Sequence, residues 1–363
     1  MKWFNSMKIG IMFIGFAGAM VLANGSAKAD FTFGEPTNVG LPINTGSTDG
    51  CPVFTSDGLS MFIESDRGGV MHVWVATREA LDAPWQEPVN LTAVLRAEGA
   101  FAPNISPDGL TVYFSSWGLG SLSESDDLYV TTRASINDPW ETPVNLGPHV
   151  NSPGFEDGSQ ISADGLTLYF TSDRPGGSWD LDIWMTTRPT VSDPWTEAVN
   201  LGPNINTSEW EFCPYVLPGD CVMLFGSSRA GGVGGHDHWI TRRKTTSDPW
   251  GIPVNLGPAI NSTADDRCAF LCADGSVYFH SDRQGPPGSF DIWRVPVSPV
   301  VDLNKDGIVD AADMCIVVDH WGTDEPLCDI GPTPFGDGIV DVQDLIVLAE
   351  HLFEEFPPVE SVE

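Results

Sequence analysis

The apolar residues of this chain lie in short runs bounded by glycine, proline, aspartate and asparagine, as in TLYFTS and DIWMTT. Runs of this length that are rich in β-branched and aromatic residues are typical of β-strands. Apolar residues at helical spacing first occur after Asp310. The pattern therefore predicts a large all-β region followed by a small helical segment.

The strand pattern repeats five times. An Asp-Gly turn marks four of the units, and a scrambled Gly219-Asp220 marks the other, at intervals of roughly 51 to 56 residues. One short strand precedes each turn and two follow it, and a W-x-x-P-V-N-L segment supplies a fourth. Four short strands at this period predict one blade of a β-propeller.

The fifth unit ends at Pro296 without its fourth strand, and the matching segment stands at the other end of the chain, Phe33 to Gly40. We expect this segment to complete the last blade and close the ring, because closure removes open sheet edges. An open solenoid of the same repeat is the alternative, but it has no use for a displaced strand. The sequence predicts a five-bladed propeller over residues 30–298.

Three stretches carry a family resemblance: SPDG at Ser106–Gly109, YFTSDRPGG at Tyr169–Gly177 and DIWMTTR at Asp182–Arg188. They resemble the WD-repeat-like family typified by the periplasmic propeller of the Tol-Pal system. The resemblance covers residues 30 to 298 and implies the propeller fold. That family includes binding proteins, scaffolding proteins and some enzymes, so it implies no single activity.

Residues 1–29 have the pattern of a secretory signal peptide. Lys2 and Lys8 precede an apolar run, Ile9 to Ala23, and Ala27-Lys28-Ala29 forms a cleavage site. A membrane anchor is the alternative, but the run is short for one. We expect a secreted, periplasmic or cell-surface protein. The net charge of −33 argues against nucleic-acid and anionic-membrane partners and favours cations.

Acids and arginines recur together at fixed positions in four of the five units. The second unit has Ala100 and Trp117 there instead. Joint loss in one unit is what an ion pair would produce, because one buried charge without its partner is destabilising. We interpret the set as structural bridges that clamp the blades together, with cation or sugar binding as the alternative. The residues are Asp49, Arg67, Glu156, Arg174, Glu211, Arg229, Asp266 and Arg283.

Acids beside these positions do not repeat and are the candidates for catalysis: Glu98, Asp157, Glu209 and Asp265. Five-bladed propellers include glycosidases, and glycoside hydrolysis needs two carboxyl groups with separated pKa values. Solvated loop charge is the competing interpretation. Trp117, Trp179 and Trp210 also break the repeat, and they either stack on a sugar ring or pack in the core.

Seven cysteines in an exported chain predict disulfides and one unpaired thiol. Cys51, Cys213 and Cys268 share one aligned position in units one, four and five, so Cys268 is expected to bond to one of the other two. Cys221 and Cys272 are left to pair with each other or with these. Cys315 and Cys328, near the C-terminus, are expected to form a local disulfide.

The segment DLNKDGIVDAAD has the spacing of a calcium-binding loop. Hard oxygen ligands at these positions suit Ca²⁺ better than transition metals. The expected ligands are Asp302, Asn304, Asp306, Ile308 through its carbonyl, Asp310 and Asp313. An aspartate-rich turn without metal is the alternative.

A twelfth-position aspartate without a preceding helix resembles a type I dockerin, over residues 301 to 356. DGIVDVQD repeats the loop, with Asp337, Ile339, Asp341 and Asp344 as expected ligands. Phe335 cannot ligate, and Asp329 is expected to reach in from a longer loop. Helices are expected over 311–321 and 342–353. The resemblance implies a cohesin-type partner in a polysaccharide-degrading context.

These features predict a secreted, non-catalytic binding or scaffold protein whose propeller presents a carbohydrate or protein ligand surface. Residues 299–300 link it to the dockerin-like module, and residues 357–363 form a tail. A propeller glycoside hydrolase or lyase acting on polysaccharide is the alternative, so enzymatic activity stays open with non-catalytic binding favoured. Ca²⁺ is the expected cofactor.

Overall fold

The computed structural model describes residues 31–91, 99–117, 119, 125–178, 180–284, 289–332 and 335–355. These residues form five antiparallel sheets arranged as propeller blades, followed by two short helices. The predicted signal peptide and tail lie outside the described residues, as does Glu98. No helix among the described residues is long and apolar enough to cross a membrane.

The strands follow the chain in blade order. The N-terminal strands are β1 (Phe31–Phe33) and β2 (Thr37–Asn38). Blade one contains β3 (Asp49–Phe54), β4 (Ser60–Ser65), β5 (His72–Thr77) and β6 (Val89–Asn90). Blade two contains β7 (Ala100–Ile105), β8 (Thr111–Ser116), β9 (Asp127–Thr132) and β10 (Val144–Asn145). Blade three contains β11 (Glu156–Ile161), β12 (Thr167–Ser172), β13 (Asp182–Thr187) and β14 (Val199–Asn200).

The last two blades follow the same plan. Blade four contains β15 (Glu211–Val216), β16 (Val222–Ser227), β17 (Asp237–Arg242) and β18 (Val254–Asn255). Blade five contains β19 (Asp266–Cys272), β20 (Ser276–Ser281) and β21 (Asp291–Pro299). Its outer strand comes from the N-terminus, because β2 pairs with β21 and β1 pairs with the extended end of β21. The predicted closure of the ring is confirmed.

The hydrophobic core lies between blades. Phe170 of blade three packs with Tyr113 and Leu128 of blade two, and Ile63 of blade one packs with Tyr278 of blade five. The last contact joins the two ends of the repeat array, so the blades form a closed ring rather than an open solenoid. Each fully buried aromatic or aliphatic side chain contributes about 1.5–3 kcal/mol to this packing.

Every first strand carries a β-bulge near the propeller axis, and the residue at the bulge has a positive φ angle. The five residues are Cys51, Ala102, Gly158, Cys213 and Cys268. The bulge turns backbone N–H groups toward the neighbouring blade: Cys51 N donates to His280 Nδ1 (2.8 Å) and Ala102 N donates to Glu64 Oε2 (2.9 Å). The bulges therefore join adjacent blades at the axis.

Each of the four acid–arginine sets forms an ion pair, and the pair lies within one blade. Arg174 Nη2 is 3.0 Å from Glu156 Oε1, and the Glu156 side chain is fully buried. The same guanidinium donates to the carbonyl of Val150, in the segment arriving from the preceding blade. The prediction that these bridges clamp blades together is therefore wrong. Glu156 begins β11, and Arg174 stands eighteen residues later, just after β12, so both partners belong to blade three. The remaining pairs are Arg67–Asp49 (2.6 Å), Arg229–Glu211 (3.2 Å) and Arg283–Asp266 (2.5 Å).

The C-terminal module contains α1 (Ala311–Asp319) and α2 (Val342–Glu350), which end slightly before the predicted limits. Each helix begins with an aspartate N-cap and a capping box, which satisfies its first backbone N–H groups. The module has its own apolar core and also touches the propeller. Phe335 is fully buried, lies 4.7 Å from Phe31 of β1 between ring centroids, and accepts a hydrogen bond from Arg242 at its carbonyl (3.2 Å).

We predict that the ion pair of blade three is strongly coupled. Arg174→Ala leaves a buried carboxylate without its partner and should lower the free energy of unfolding by about 3–5 kcal/mol. Glu156→Ala breaks the same pair, and the double variant Glu156→Ala/Arg174→Ala should lower it by less than the two single effects combined. Urea unfolding measures all of these. Glu197→Ala, which breaks an exposed pair with His149 (57% and 78% exposed side chains), is the control and should change stability by less than about 1 kcal/mol. Additive single effects would refute the coupling.

Candidate functional site

The candidate site lies where the first strands begin, at one end of the axial channel, which we call the entry face. Of the predicted catalytic acids that the structure describes, Asp157 lies on β11 inside the channel, and Asp265 immediately precedes β19. Glu209 is exposed. The structure therefore brings Asp157 and Asp265 to the channel and leaves Glu209 in solvent.

Asp157 belongs to a set of polar side chains in the throat of the channel. Its Oδ1 accepts hydrogen bonds from Ser115 Oγ (2.8 Å) of blade two and from Gly158 N (2.6 Å). Burial, and then the negative charge of Glu64, raise the pKa of Asp157 to about 6. Burial also raises the pKa of Glu64. The throat therefore holds two carboxyl groups that retain protons more readily than usual.

A second polar cluster surrounds Asp265. His236 Nδ1 is 3.0 Å from Asp265 Oδ1, and Arg267 Nη2 is 2.8 Å from Asp265 Oδ2. Burial works to raise the pKa of Asp265, but the hydrogen bond and charge of His236 and the charge of Arg267 outweigh it and hold that pKa below its ordinary value. Asp265 is therefore ionised under conditions in which Asp157 begins to take up a proton.

Aromatic side chains surround these groups. Trp210, just before β15, lies 5.5 Å from His236 between ring centroids, and Trp117, just after β8, lies 5.4 Å from Phe101. Both indoles are partly exposed, Trp117 by 47% and Trp210 by 40%. By contrast, Trp85, Trp140, Trp195 and Trp250 stack on arginines of their own blades and belong to the framework.

The channel narrows at the bulge residues, where the free volume is only about 40 Å³. Beyond this constriction, at the end where the first strands finish, a cavity of about 410 Å³ opens. Its lining is mostly apolar and includes Tyr215, Phe270 and Leu271, and Pro332 of the C-terminal module. The polar entry face and the apolar cavity are therefore separate environments.

Several residues of the site were missed by sequence reasoning: Glu64, His236, Arg267 and His280. A signal for two of them exists in the repeat, because Glu64 and His280 occupy the same second-strand position as Ser115, Thr171 and Gly226. This position varies from blade to blade while its neighbours repeat. A position that varies while its neighbours repeat is therefore a signal by which Glu64 and His280 could have been found from the sequence.

The two loops of the C-terminal module have the same hydrogen-bond plan. In the first, Asp302 Oδ2 accepts from Gly307 N (3.0 Å), and in the second, Asp329 Oδ2 accepts from Gly338 N (2.8 Å). Asp329 thus takes the place of Asp302 in a longer loop. Asp302 Oδ1 is buried without a hydrogen-bond partner among the described residues, and an unpaired buried carboxylate oxygen at the first ligand position fits a bound cation.

The cysteines divide between the axis and the module. Cys213 and Cys268 form a disulfide, with Cα atoms 5.1 Å apart. The disulfide predicted between Cys315 and Cys328 is not formed: Cys315 is an exposed free thiol, while Cys328 is buried and its sulfur faces the Ile316 carbonyl (3.9 Å). Cys221 and Cys272 are also free.

No protein-family model and no curated protein sequence matches the chain. Solved structures with a similar course of the chain include a thermostable family-43 glycoside hydrolase (14% identity, 71% of this chain and 91% of that one, TM-score 0.49). An α-L-arabinofuranosidase from Podospora anserina (12%, 74% and 97%, 0.49) and TolB from Acinetobacter baumannii (14%, 69% and 54%, 0.41) are further examples. At these identities and scores, the similarities carry no information on what this chain binds.

We predict that Asp157→Asn stabilises the protein at neutral pH. The pKa of Asp157 is raised from 3.8 to about 6 on folding, so the native state keeps a proton that the unfolded chain releases between these values. Its contribution to stability therefore falls as pH rises from about 4 to about 6. The variant should be more stable than the parent by about 3 kcal/mol at pH 7, and equal to it below pH 4.

Urea unfolding across this pH range measures the difference. Asp82→Asn removes an exposed acid and is the control. A variant that is destabilised equally at pH 4 and pH 7 would contradict the assigned effect of burial.

Proposed function

We propose that this protein is a secreted carbohydrate-binding protein whose entry face holds the ligand. The observation that carries the proposal is the pair of partly exposed indoles, Trp117 and Trp210, at the rim of a polar throat. Exposed aromatic rings offer flat apolar surfaces to the C–H faces of sugar rings, while buried carboxylates accept hydrogen bonds from hydroxyl groups.

A second candidate function is glycoside hydrolysis at the same face. It is favoured by the opposite pKa shifts of Asp157, raised to about 6, and Asp265, lowered. A glycosidase needs one carboxyl group that keeps its proton and one that is ionised. In this mechanism Asp157 donates the proton to the leaving oxygen, and Asp265 acts as the base or nucleophile.

We predict that binding to insoluble polysaccharides depends on the entry-face indoles. Trp117→Ala and Trp210→Ala should each weaken binding roughly tenfold, which corresponds to ~1.4 kcal/mol. Trp321→Ala, which removes an indole that is 49% exposed on the C-terminal module, is the matched control and should bind like the parent. The measurement is protein depletion from the supernatant over a panel of polysaccharides.

The same supernatants are assayed for new reducing ends. If the parent produces reducing ends, and these disappear in Asp157→Asn and Asp265→Asn but persist in Glu209→Gln, the function is glycoside hydrolysis and not binding alone. Depletion without reducing ends supports the binding proposal. Depletion that is unaffected by either entry-face substitution would refute this face as the ligand site.

The C-terminal module is proposed to bind Ca²⁺ and to dock the propeller to a cohesin-type partner. Support comes from the oxygen-rich first loop, the buried unpaired Asp302 Oδ1, and the matching plan of the second loop around Asp329. Asp302, Asn304, Asp306, Ile308, Asp310 and Asp313 would hold the first ion, and Asp329, Asp337, Ile339, Asp341 and Asp344 the second. The predicted signal peptide would deliver this assembly to the exterior of the cell.

We predict that Ca²⁺ stabilises the module within the full chain. At a concentration one hundred times the dissociation constant, binding to the native state adds about 2.7 kcal/mol. Calorimetric titration and thermal unfolding with Ca²⁺ or a chelator measure the effect. Asp306→Ala should remove one bound ion, whereas Asp319→Ala, an exposed acid on α1, should not. Unfolding that is insensitive to Ca²⁺, with no bound ion, would refute the proposal.

A further inference from the structure

Three cysteines converge on the propeller axis. Cys213, Cys268 and Cys51 occupy the bulge position of blades four, five and one, which are neighbours in the closed ring, and their sulfur atoms all lie within 4.8 Å of one another. Cys268 is bonded to Cys213, while its sulfur is also 3.0 Å from that of Cys51. The central cysteine thus has a bonded partner on one side and a free thiol in contact on the other.

The two sides are close to equivalent because of the fold. The three residues have nearly the same left-handed backbone, with φ of 47° at Cys213, 52° at Cys268 and 44° at Cys51. The rotation about the axis that carries blade four onto blade five carries blade five onto blade one. A disulfide geometry that is accessible to Cys213 and Cys268 is therefore accessible to Cys268 and Cys51.

The surroundings of Cys51 supply what a buried thiol needs in order to attack. Its sulfur lies within 4.8 Å of a Glu64 carboxylate oxygen, and that carboxylate can accept the thiol proton. Its backbone N–H is held by His280 Nδ1 (2.8 Å), and the positive charge of Arg267 favours the thiolate. Burial, with the charges of Glu64 and Asp157, raises the pKa of Cys51, so the thiol is protonated at neutral pH and a proton acceptor is required.

We propose that these residues form a thiol–disulfide exchange centre. Cys51 passes its proton to Glu64, and its sulfur bonds to Cys268 as the Cys213–Cys268 bond breaks. Cys213 leaves as a thiolate and takes up the proton that the Glu64 carboxylate accepted. One disulfide and one thiol exist before and after, so no external oxidant is needed. The covalent link moves from blades four and five to blades five and one, where the N-terminal strand closes the ring.

The test is peptide mapping of the oxidised full-length chain. Protein held at neutral pH is quenched in acid, digested with pepsin at low pH to stop exchange, and its cross-linked peptides are quantified by mass spectrometry. The expected result is two linkages, Cys213–Cys268 and Cys51–Cys268, within tenfold of each other. A single linkage after prolonged incubation would overturn the proposal, as would comparable linkage to Cys221 or Cys272, which would indicate general scrambling.

Variants separate the roles. Oxidised Cys213→Ser should contain the Cys51–Cys268 linkage in full, and two unbonded axial thiols in that variant would refute the geometry. Glu64→Gln should slow relaxation of the linkage ratio, after oxidation of the reduced chain, by roughly 100-fold or more, without abolishing either linkage. Asp157→Asn, which removes the other throat carboxylate, is the matched control and should not slow it. Equal slowing by both would remove Glu64 from the role of proton acceptor.

Discussion

The five left-handed bulges at the axis are the constraint on which the rest of the ring depends. A left-handed backbone is unfavourable by about 1–2 kcal/mol for a residue other than glycine, yet glycine occupies only one of these positions. At three of the five bulges the left-handed backbone turns the N–H group toward the preceding blade, where His280, Glu64 and Thr171 accept it. The bulge residues line the narrow part of the channel, and the three cysteines among them have their sulfur atoms within 4.8 Å of one another.

The acid–arginine pairs hold the connections that lead into the first strands. Each carboxylate accepts backbone and hydroxyl hydrogen bonds from the connection that enters its blade, as Glu156 does from Ser152, while the arginine holds a carbonyl of that connection. The connection is thereby fixed before the first strand begins. Blade two has Trp117 in place of the arginine, and the indole is free to extend onto the entry face. The blade that lacks the ion pair thus carries Trp117, one of the two exposed indoles proposed to contact a ligand.

Much of the fold could be predicted because the same turn and strand sequence pattern recurs in every blade of the propeller. The Asp-Gly turns, the strand order and the displaced N-terminal strand all follow from comparing one unit with the next, and the pairing of β2 with β21 confirms the closure. The candidate site could not be predicted in the same way. Glu64, His236 and Arg267 meet Asp157 and Asp265 only because different blades converge on one axis. Which non-repeating residues meet depends on how the blades are arranged around the axis, and the sequence of a single repeat does not show that arrangement.

The second loop of the C-terminal module departs from the pattern of the first loop at Phe335, because this residue packs against the propeller. Phe335 stands where a ligand would be expected, and it is buried against Phe31 and Phe33 of the closing strand. A carboxylate at this position would be desolvated among apolar groups and would weaken the junction. Asp329, upstream of Phe335, takes the place that Asp302 has in the first loop and accepts hydrogen bonds from Asp337 N and Gly338 N. The longer loop thus lets Phe335 hold the module against the strand that closes the ring while Asp329 keeps the hydrogen-bond plan of the first loop.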